Sequence, residues 1–573
     1  MLKLRRRRDV PHTMAVVPGD NKNNDNNDMN RNVEQPASSS SSSTSSGKAF
    51  KYIIFILAIV VLITIGYHLG LLIGRLKNVN ANTNTALEYE YDYDAVVVGA
   101  GWAGIRAAKT LIDAGISSVL VLEANDYVGG RVKSINIDNS INDPTKLHDM
   151  TNIPIDMGGE WLYDDNDMAL LLERHGYLNN IELYSDKDEF LDLYSAQYYL
   201  SSDGNSKKAR LLSVAEEKKL YETVWNAYLK FRKEQLVTVK GVQSVDDVVN
   251  KFKNERLGNN ITEIAYFDMI LNIGVIDYAA ELSELNAKDY YWYSPNKVYP
   301  MTLMSQVGVG FGNTAASVAD PYMSKIKLNA KVTEINYEDP NLVVVSYTDE
   351  TSGEKTRQVT TRTILVTVSL GVLKAETINF RPKLPEWKQD VIDGMGYGVL
   401  NKCIMQWNNK DDMVWPANET WFELITPEGP VWTSFFNPTQ FKGGKPTLVG
   451  WIGGEGAKAI EAQKDEEVTN AVMKNLQTLF PGIRSPPDRV LVTRWGKEPN
   501  ILGTYSFKAV GRDWKTDSRS LRRKINKIRF AGEATSGKWY DTTYGAWKSG
   551  NEEAEEMISD LRTELVNSSA SGI

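Results

Sequence analysis

A single cysteine, Cys403, stands in a chain of 573 residues, so neither an intramolecular disulfide framework nor a multi-cysteine metal site can be built from it. Histidine is nearly as scarce. His12, His68, His148 and His175 are scattered, and the first two precede the globular part, which leaves little material for a His-based metal site or a Ser-His-Asp arrangement. Neither a resident metal nor hydrolytic chemistry is expected. Basic charge is short too. Eleven of the 65 Lys and Arg and five of the 73 Asp and Glu lie before residue 78, so the rest carries 54 basic against 68 acidic side chains, a formal charge of −14. Such a surface repels nucleic acid and gathers small cations, although a solvated acidic face without that purpose is equally common.

The first 51 residues lack what a core needs. Residues 21–32 are asparagine-rich and 38–46 nearly all serine, which predicts a disordered tail. Tyr52 to Gly74 is the one long hydrophobic run: 23 residues without formal charge apart from His68. About 20 residues cross the hydrocarbon at about 1.5 Å each, so a transmembrane signal-anchor helix is expected over 52–74. A buried core helix would show a polar face, and a cleaved signal peptide would be shorter and followed by a small-x-small site. Nine Lys and Arg precede the run, whereas the stem at 75–91 begins with Arg75 and Lys77 and then turns acidic. This asymmetry predicts a single-pass protein with a cytoplasmic N-terminus and an extracellular or lumenal body. Sequons at Asn260, Asn418 and Asn567 would be usable there and lend the topology weak support.

Asp94-Ala-Val-Val-Val-Gly-Ala-Gly-Trp-Ala-Gly104 predicts a buried parallel strand ending at Val98 and a helix from Trp102 to Ala114. Between them lie Gly99, Gly101 and Gly104. The first permits the tight turn, the second lets backbone approach a pyrophosphate, and the third lets helix pack on strand, with the helix N-terminus facing the anion. Glu123 ends the second strand, 24 residues after Gly99, where a carboxylate accepts ribose hydroxyls. A dinucleotide is therefore bound.

Gly129-Gly130-Arg131-Val-Lys-Ser134 resembles the second fingerprint of large FAD-dependent oxidoreductases, which implies FAD rather than NAD. Three further places extend the likeness: Asp156-Met-Gly-Gly-Glu-Trp-Leu162, the run from Val368 to Lys402, and Arg494-Trp495 to Tyr505; a fourth is Phe530-Ala-Gly-Glu533 to Gly550. Over about residues 92–562 the chain resembles the flavin-dependent amine oxidases, most closely the polyamine oxidase branch that includes spermine oxidases. The implied fold is α/β: a Rossmann-like FAD-binding domain from 92–175, 320–380 and 521–562, and a mixed-sheet substrate domain from 176–319 and 381–520, with a flexible C-terminus at 563–573.

The resemblance also implies site residues. Gly158, Gly159 and Trp161 would lie along the flavin, the glycines because any side chain would collide with the ring. Tyr163 stands where this branch often carries His or Glu, and Asp164, Asp165 and Asp167 follow, which leaves the ammonium-holding group open. Lys402 matches the lysine hydrogen-bonded through water to flavin N5. Trp495 and Tyr505 keep the family spacing, Tyr505 as one plate of an aromatic cage and Trp539 or Tyr540 as another. Gly532 and Glu533 would contact the ribityl or pyrophosphate, Thr543 the pyrimidine end through its N–H, and Val332 the adenine edge. Thr542 replaces the tyrosine of monoamine oxidases. Residue 504 is Thr where those enzymes have the flavin-bonding cysteine, so FAD should be noncovalent. Glu281, Glu284 and the Tyr290 to Tyr293 cluster are weaker candidates for the channel.

The expected reaction is oxidation of an amine, foremost a polyamine, by hydride transfer to flavin N5, giving an imine that hydrolyses, with dioxygen yielding hydrogen peroxide. An L-amino acid or monoamine oxidase shares every cofactor motif, although no arginine can be assigned to a carboxylate. A carotenoid-type desaturase would lack the lysine run. A membrane-anchored flavoprotein scaffold without turnover is the reading from another class. The oligomeric state is open.

Overall fold

The computed structural model describes residues 89–571, apart from 136–153, 164–167, 169–182, 185–195, 202–207, 289–300, 304–309, 354, 430 and 440–444. The predicted tail and the hydrophobic run at 52–74 lie outside the described residues. Among those described, no helix is long and apolar enough to cross a membrane. Within the expected stem, Tyr89 donates to Asp339 and Tyr91 to the Asn341 carbonyl, with the Arg362 guanidinium 4.6 Å from the Tyr91 ring centroid, so residues 89–91 pack on the body.

The first strand, β1 (Tyr93–Val98), is apolar because sheet neighbours and helices cover it. It leads through the glycine turn into α1 (Trp102–Asp113), and β2 (Val119–Leu122) returns parallel to β1. Ile326–Lys327 extends the sheet beyond β2. On the other side of β1 lies the long strand Lys355–Val366. Its first half closes an antiparallel meander with Val343–Asp349 and Ala330–Asn336, and its last three residues run parallel to Ile528–Phe530. One polypeptide strand thus joins the meander to a five-stranded parallel layer. The C-terminal helix, Thr543–Ser571, crosses α1 closely: a Cβ on Gly550 would come 2.1 Å from the Ala103 carbonyl oxygen.

A second sheet of seven strands runs in the order Arg489–Val492, Leu400–Gln406, Thr447–Gly453, Ser434–Phe436, Trp421–Ile425, Ala196–Leu200, Arg210–Leu211. It is mixed, because Trp421–Ile425 and Ala196–Leu200 are parallel and the other pairs antiparallel. One face packs on the helices Gly454–Ile460 and Asp465–Leu479. The other faces Ile155, Tyr505 and the end of the helix Ile261–Tyr278. That helix is started by Asn260, whose side chain accepts from the Thr262 and Glu263 amides.

The packed cores move three of the expected boundaries. Phe311 and Ala315 belong with α1, while Val391, Ile392, Trp514 and Leu521 pack beside the first sheet. Short helices that bury a single face carry no mark of which sheet they will cover.

Candidate active site

The glycines of the first turn divide by what surrounds them. A Cβ on Gly104 would lie 1.9 Å from the Gly99 carbonyl oxygen, so helix and strand meet there as the motif requires. At Gly101 the nearest atom to a Cβ would be 4.0 Å away, and at Gly532, which has φ +132°, nothing lies within 4 Å. These two glycines line open space, not packed protein. Gly129 and Gly130 both have positive φ, and Gly129 bridges to Gly101. Glu123 is buried at the edge of this turn, with Oε2 accepting the Ala100 amide at 2.6 Å and Oε1 the Asn125 amide at 2.9 Å. Burial raises its pKa, and the amide hydrogen bonds oppose the rise. Val332 is buried in the meander, where pairing with Asn379–Arg381 begins only at Glu334.

Arg131 reaches across the fold to Glu533, Nη1 to Oε1 at 2.8 Å, and donates to the Thr504 carbonyl. Burial disfavours its charge, but Tyr397 and Glu533 beside it more than offset this and raise its pKa. Glu533 also accepts the Ser506 hydroxyl and, at 2.9 Å, the Asp541 amide. Asp541 sits at φ +59° with its pKa raised well above the ordinary value by burial and by Glu533. Two residues on, the Thr543 hydroxyl is buried without a hydrogen-bond partner among the described residues.

Thr542, expected as a catalytic residue, is the cap of the C-terminal helix. Its hydroxyl accepts the Gly545 amide at 2.9 Å and donates to the Trp539 carbonyl at 2.8 Å. Those two bonds occupy it locally.

The reason for Gly158 also differs from expectation. A Cβ there would lie 1.9 Å from the Arg131 carbonyl oxygen and 3.0 Å from the Trp495 ring, so the protein itself excludes a side chain. Gly159 has only ordinary neighbours, Val132 at 3.4 Å and Thr543 at 3.6 Å. Trp161 and Tyr163 form a short strand against Met301–Leu303. Their side chains, Asp164 to Asp167 and the Tyr290 to Tyr293 cluster lie outside the described residues.

Lys402 is 2% exposed, in the strand Leu400–Gln406. Its Nζ is 2.8 Å from Glu160 Oε1, 3.0 Å from the Gly158 carbonyl and 3.1 Å from that of Asp156. The Trp451 ring centroid is 4.5 Å away. Three N–H donors thus meet three protein acceptors, where a water-held lysine was expected. Lys402 ties the second sheet to the segment 156–160, which folds back on Arg131. Trp495 fastens the same segment, its Nε1 donating to the Met157 carbonyl at 3.2 Å.

Tyr505 is partly buried against the cluster of Trp451, Phe436 and Ile276, and its hydroxyl donates to the Ile276 carbonyl. Trp539 packs on Tyr544 and Tyr540 on Trp514, whereas Trp451 joins the Tyr505 cluster. Glu281 and Glu284 are also used locally: Glu281 Oε1 accepts the Glu455 amide and Glu284 Oε2 that of Glu281. Cys403 is buried, which pushes its thiol up to about 12.

Sequence reasoning missed Glu160, Trp451 and Glu423. Glu160 lay inside a quoted motif. Trp451 and Glu423 are set by register: Lys402, Trp451, Ser434 and Glu423 are successive partners across four strands and share one face.

Residues 102–558 match the flavin containing amine oxidoreductase family, and the chain belongs to it. It is 29% identical over 479 residues to polyamine oxidase 4 of Oryza sativa subsp. japonica, covering 80% of this chain and 88% of that one. To polyamine oxidase 2 of Arabidopsis thaliana it is 30% identical over 470 residues, covering 80% and 87%. Wild-type putrescine oxidase bound to putrescine has the same fold, with TM-score 0.60 at 16% identity over 82% of this chain and 99% of that one. The protein is an FAD-dependent amine oxidase, similar to polyamine oxidases.

The residues fit FAD. Gly101 and Gly532 border the space a cofactor needs, α1 presents its N-terminus there, and the Thr543 hydroxyl lacks a protein partner.

Proposed function

We propose that this protein oxidises a polyamine to an imine, which hydrolyses to an aldehyde and a shorter amine. FAD, when bound, supplies the redox chemistry, taking a hydride equivalent from the carbon beside the amine and passing two electrons to dioxygen as hydrogen peroxide. The chain holds and orients. Gly99, Gly101, Gly104 and the α1 N-terminus would hold the pyrophosphate, Glu123 the ribose, Val332 the adenine, and Arg131, Gly532, Glu533 and Thr543 the remainder. Gly158, Gly159, Trp161 and Trp495 would back the ring. Thr504 has no thiol, so the cofactor is noncovalent.

The observation that carries the reading is the bridge from Lys402 to Glu160 and the carbonyls of Asp156 and Gly158. It fixes a charged pair beside an aromatic wall of Trp451 and Tyr505, in a site with water largely excluded. Aromatic faces position an alkylammonium. Steady-state peroxide release with spermine, spermidine, their acetylated forms, tyramine and leucine tests it. Turnover confined to tyramine or leucine would replace it with the monoamine or amino acid reading.

The same proposal anchors the enzyme by residues 52–74, with the N-terminus cytoplasmic and the body extracellular or lumenal. The 23-residue uncharged run and the excess of Lys and Arg before it support this. Deleting residues 1–77 should release the enzyme into the soluble fraction, and persistent membrane association of that form would contradict it.

A further inference from the structure

We propose that Glu423 anchors the distal ammonium of a linear tetraamine whose other end reacts near Lys402. This rests on the polyamine reading above and specifies the length of its substrate.

Glu423 is 4% exposed, and the fold makes little use of it. The Ser434 hydroxyl donates to Oε1 at 2.7 Å, whereas Oε2 is buried with no hydrogen-bond partner. Among the described residues no lysine or arginine pairs with it. A carboxylate has about four acceptor positions, and leaving a buried polar oxygen unsatisfied is costly, so such groups in native proteins call for a reason. A cationic ligand supplies one.

Its position on the sheet indicates which cation. Glu423, Ser434, Trp451 and Lys402 are register partners on four adjacent strands, with their side chains on one face. That face is the one turned toward Ile155 and Tyr505, and Phe436 and Trp421 flank the row. Between the carboxylate and the lysine lies Trp451, whose indole N–H is also buried without a hydrogen-bond partner. The row therefore offers an acceptor at one end, an aromatic surface along its length and the reaction centre at the other end.

Negative charge at the helix end would draw a cation toward it. Asp277 is exposed in the last turn of the helix that packs over this face, and its charge acts on both Glu423 and Asp541. Acids thus run from solvent at Asp277 to the buried carboxylate.

The spacing sets the length. Three steps between strands, about 4.8 Å each, separate the Glu423 and Lys402 backbones by about 14 Å. An extended chain advances about 1.2 Å per bond, so roughly ten bonds or more are needed between reacting carbon and distal nitrogen. A four-carbon diamine, with five bonds between nitrogens, spans only about 6 Å at that rise and cannot touch both ends.

Two measurements test this. In the first, wild-type holoenzyme is assayed with α,ω-diamines of increasing length together with spermidine, spermine and benzylamine. KM should fall sharply once the second nitrogen reaches about ten bonds from the oxidised carbon, and a KM independent of length overturns the proposal. In the second, Glu423→Gln is assayed with spermine and benzylamine after its flavin absorbance has shown it to be loaded. The ratio of kcat/KM for spermine to that for benzylamine should fall at least tenfold, through KM more than kcat. An unchanged ratio assigns Glu423 to joining its two strands and overturns the anchor. A wild-type enzyme that prefers benzylamine to every polyamine defeats the underlying polyamine reading instead, whatever the variant does.

Discussion

Lys402 and Glu160 form a buried ion pair at 2.8 Å, with side-chain exposures of 2% and 5%, although 241 residues lie between them in the chain. Removing one partner of such a pair leaves an uncompensated charge, at a cost of about 3–5 kcal/mol. Glu160→Gln should therefore lower the thermal midpoint of the holoenzyme, and adding Lys402→Met should recover part of the loss. A double-mutant cycle in thermal unfolding checks this, and strict additivity would show that the two side chains do not interact.

Lys402→Met alone should slow flavin reduction, reoxidation or both by at least tenfold, about 1.4 kcal/mol of barrier. Stopped-flow absorbance separates the two half-reactions. Wild-type rates in both would remove the lysine from the mechanism and leave it as a fastener of the segment 156–160.

Gly158 and Gly159 are adjacent, but their substitutions should behave differently. Gly158→Ala drives a methyl into the Arg131 carbonyl at 1.9 Å and should yield protein depleted in FAD. Gly159→Ala meets nothing closer than 3.4 Å and should retain it. The ratio of flavin to protein absorbance after purification decides the matter, and equal loading of the two variants would contradict the geometry.

The Thr543 hydroxyl lacks a protein partner, so Thr543→Val should leave the cofactor-free protein as stable as wild type or more so. The same change should weaken FAD binding by several-fold, about 1 kcal/mol for a lost hydrogen bond. Flavin titration of the stripped protein measures it. Undiminished affinity would place the hydroxyl away from the cofactor.

Burial raises Glu423 from an ordinary 4.5 to about 8, opposed by the Ser434 hydrogen bond and reinforced by Asp277. Because the folded value is the higher, the stability contributed by the neutral carboxyl is fully present below about pH 4.5 and is lost as pH rises through about 8. Glu423→Gln cannot ionise. Its thermal midpoint should match wild type near pH 5 and exceed it near pH 8.5, with no amine present. Parallel profiles would mean that the carboxyl titrates normally.

Legibility in the sequence followed locality. The contact of Gly104 with the Gly99 carbonyl, the strand–helix–strand order and the acid at Glu123 are all encoded within the 31 residues from Tyr93 to Glu123, so pattern alone placed them. The strand containing Lys402 was also legible, because Cys403 to Trp407 alternates. What the lysine touches was not, since its acceptors come from the 156–160 segment. Glu423 was hidden for a related reason: its face depends on pairing with Ser434, and Ser434 on pairing with Trp451. Gly158 was read as a glycine required by the flavin ring, whereas the Arg131 carbonyl already excludes a side chain there. Thr542 was assigned by likeness to a position, whereas the helix start at Thr543 makes it a cap.

The parallel layer places β1, from the beginning of the packed body, and Ile528–Phe530, from near its end, on either side of Leu365. During synthesis at about 5–20 residues per second, about 20 to 90 s separates the emergence of those flanking strands. The dinucleotide fingerprint is among the first folded segments to leave the ribosome and waits for the last before its sheet closes. The sheet that frames the fingerprint is therefore complete only once the strand Ile528–Phe530 has been made.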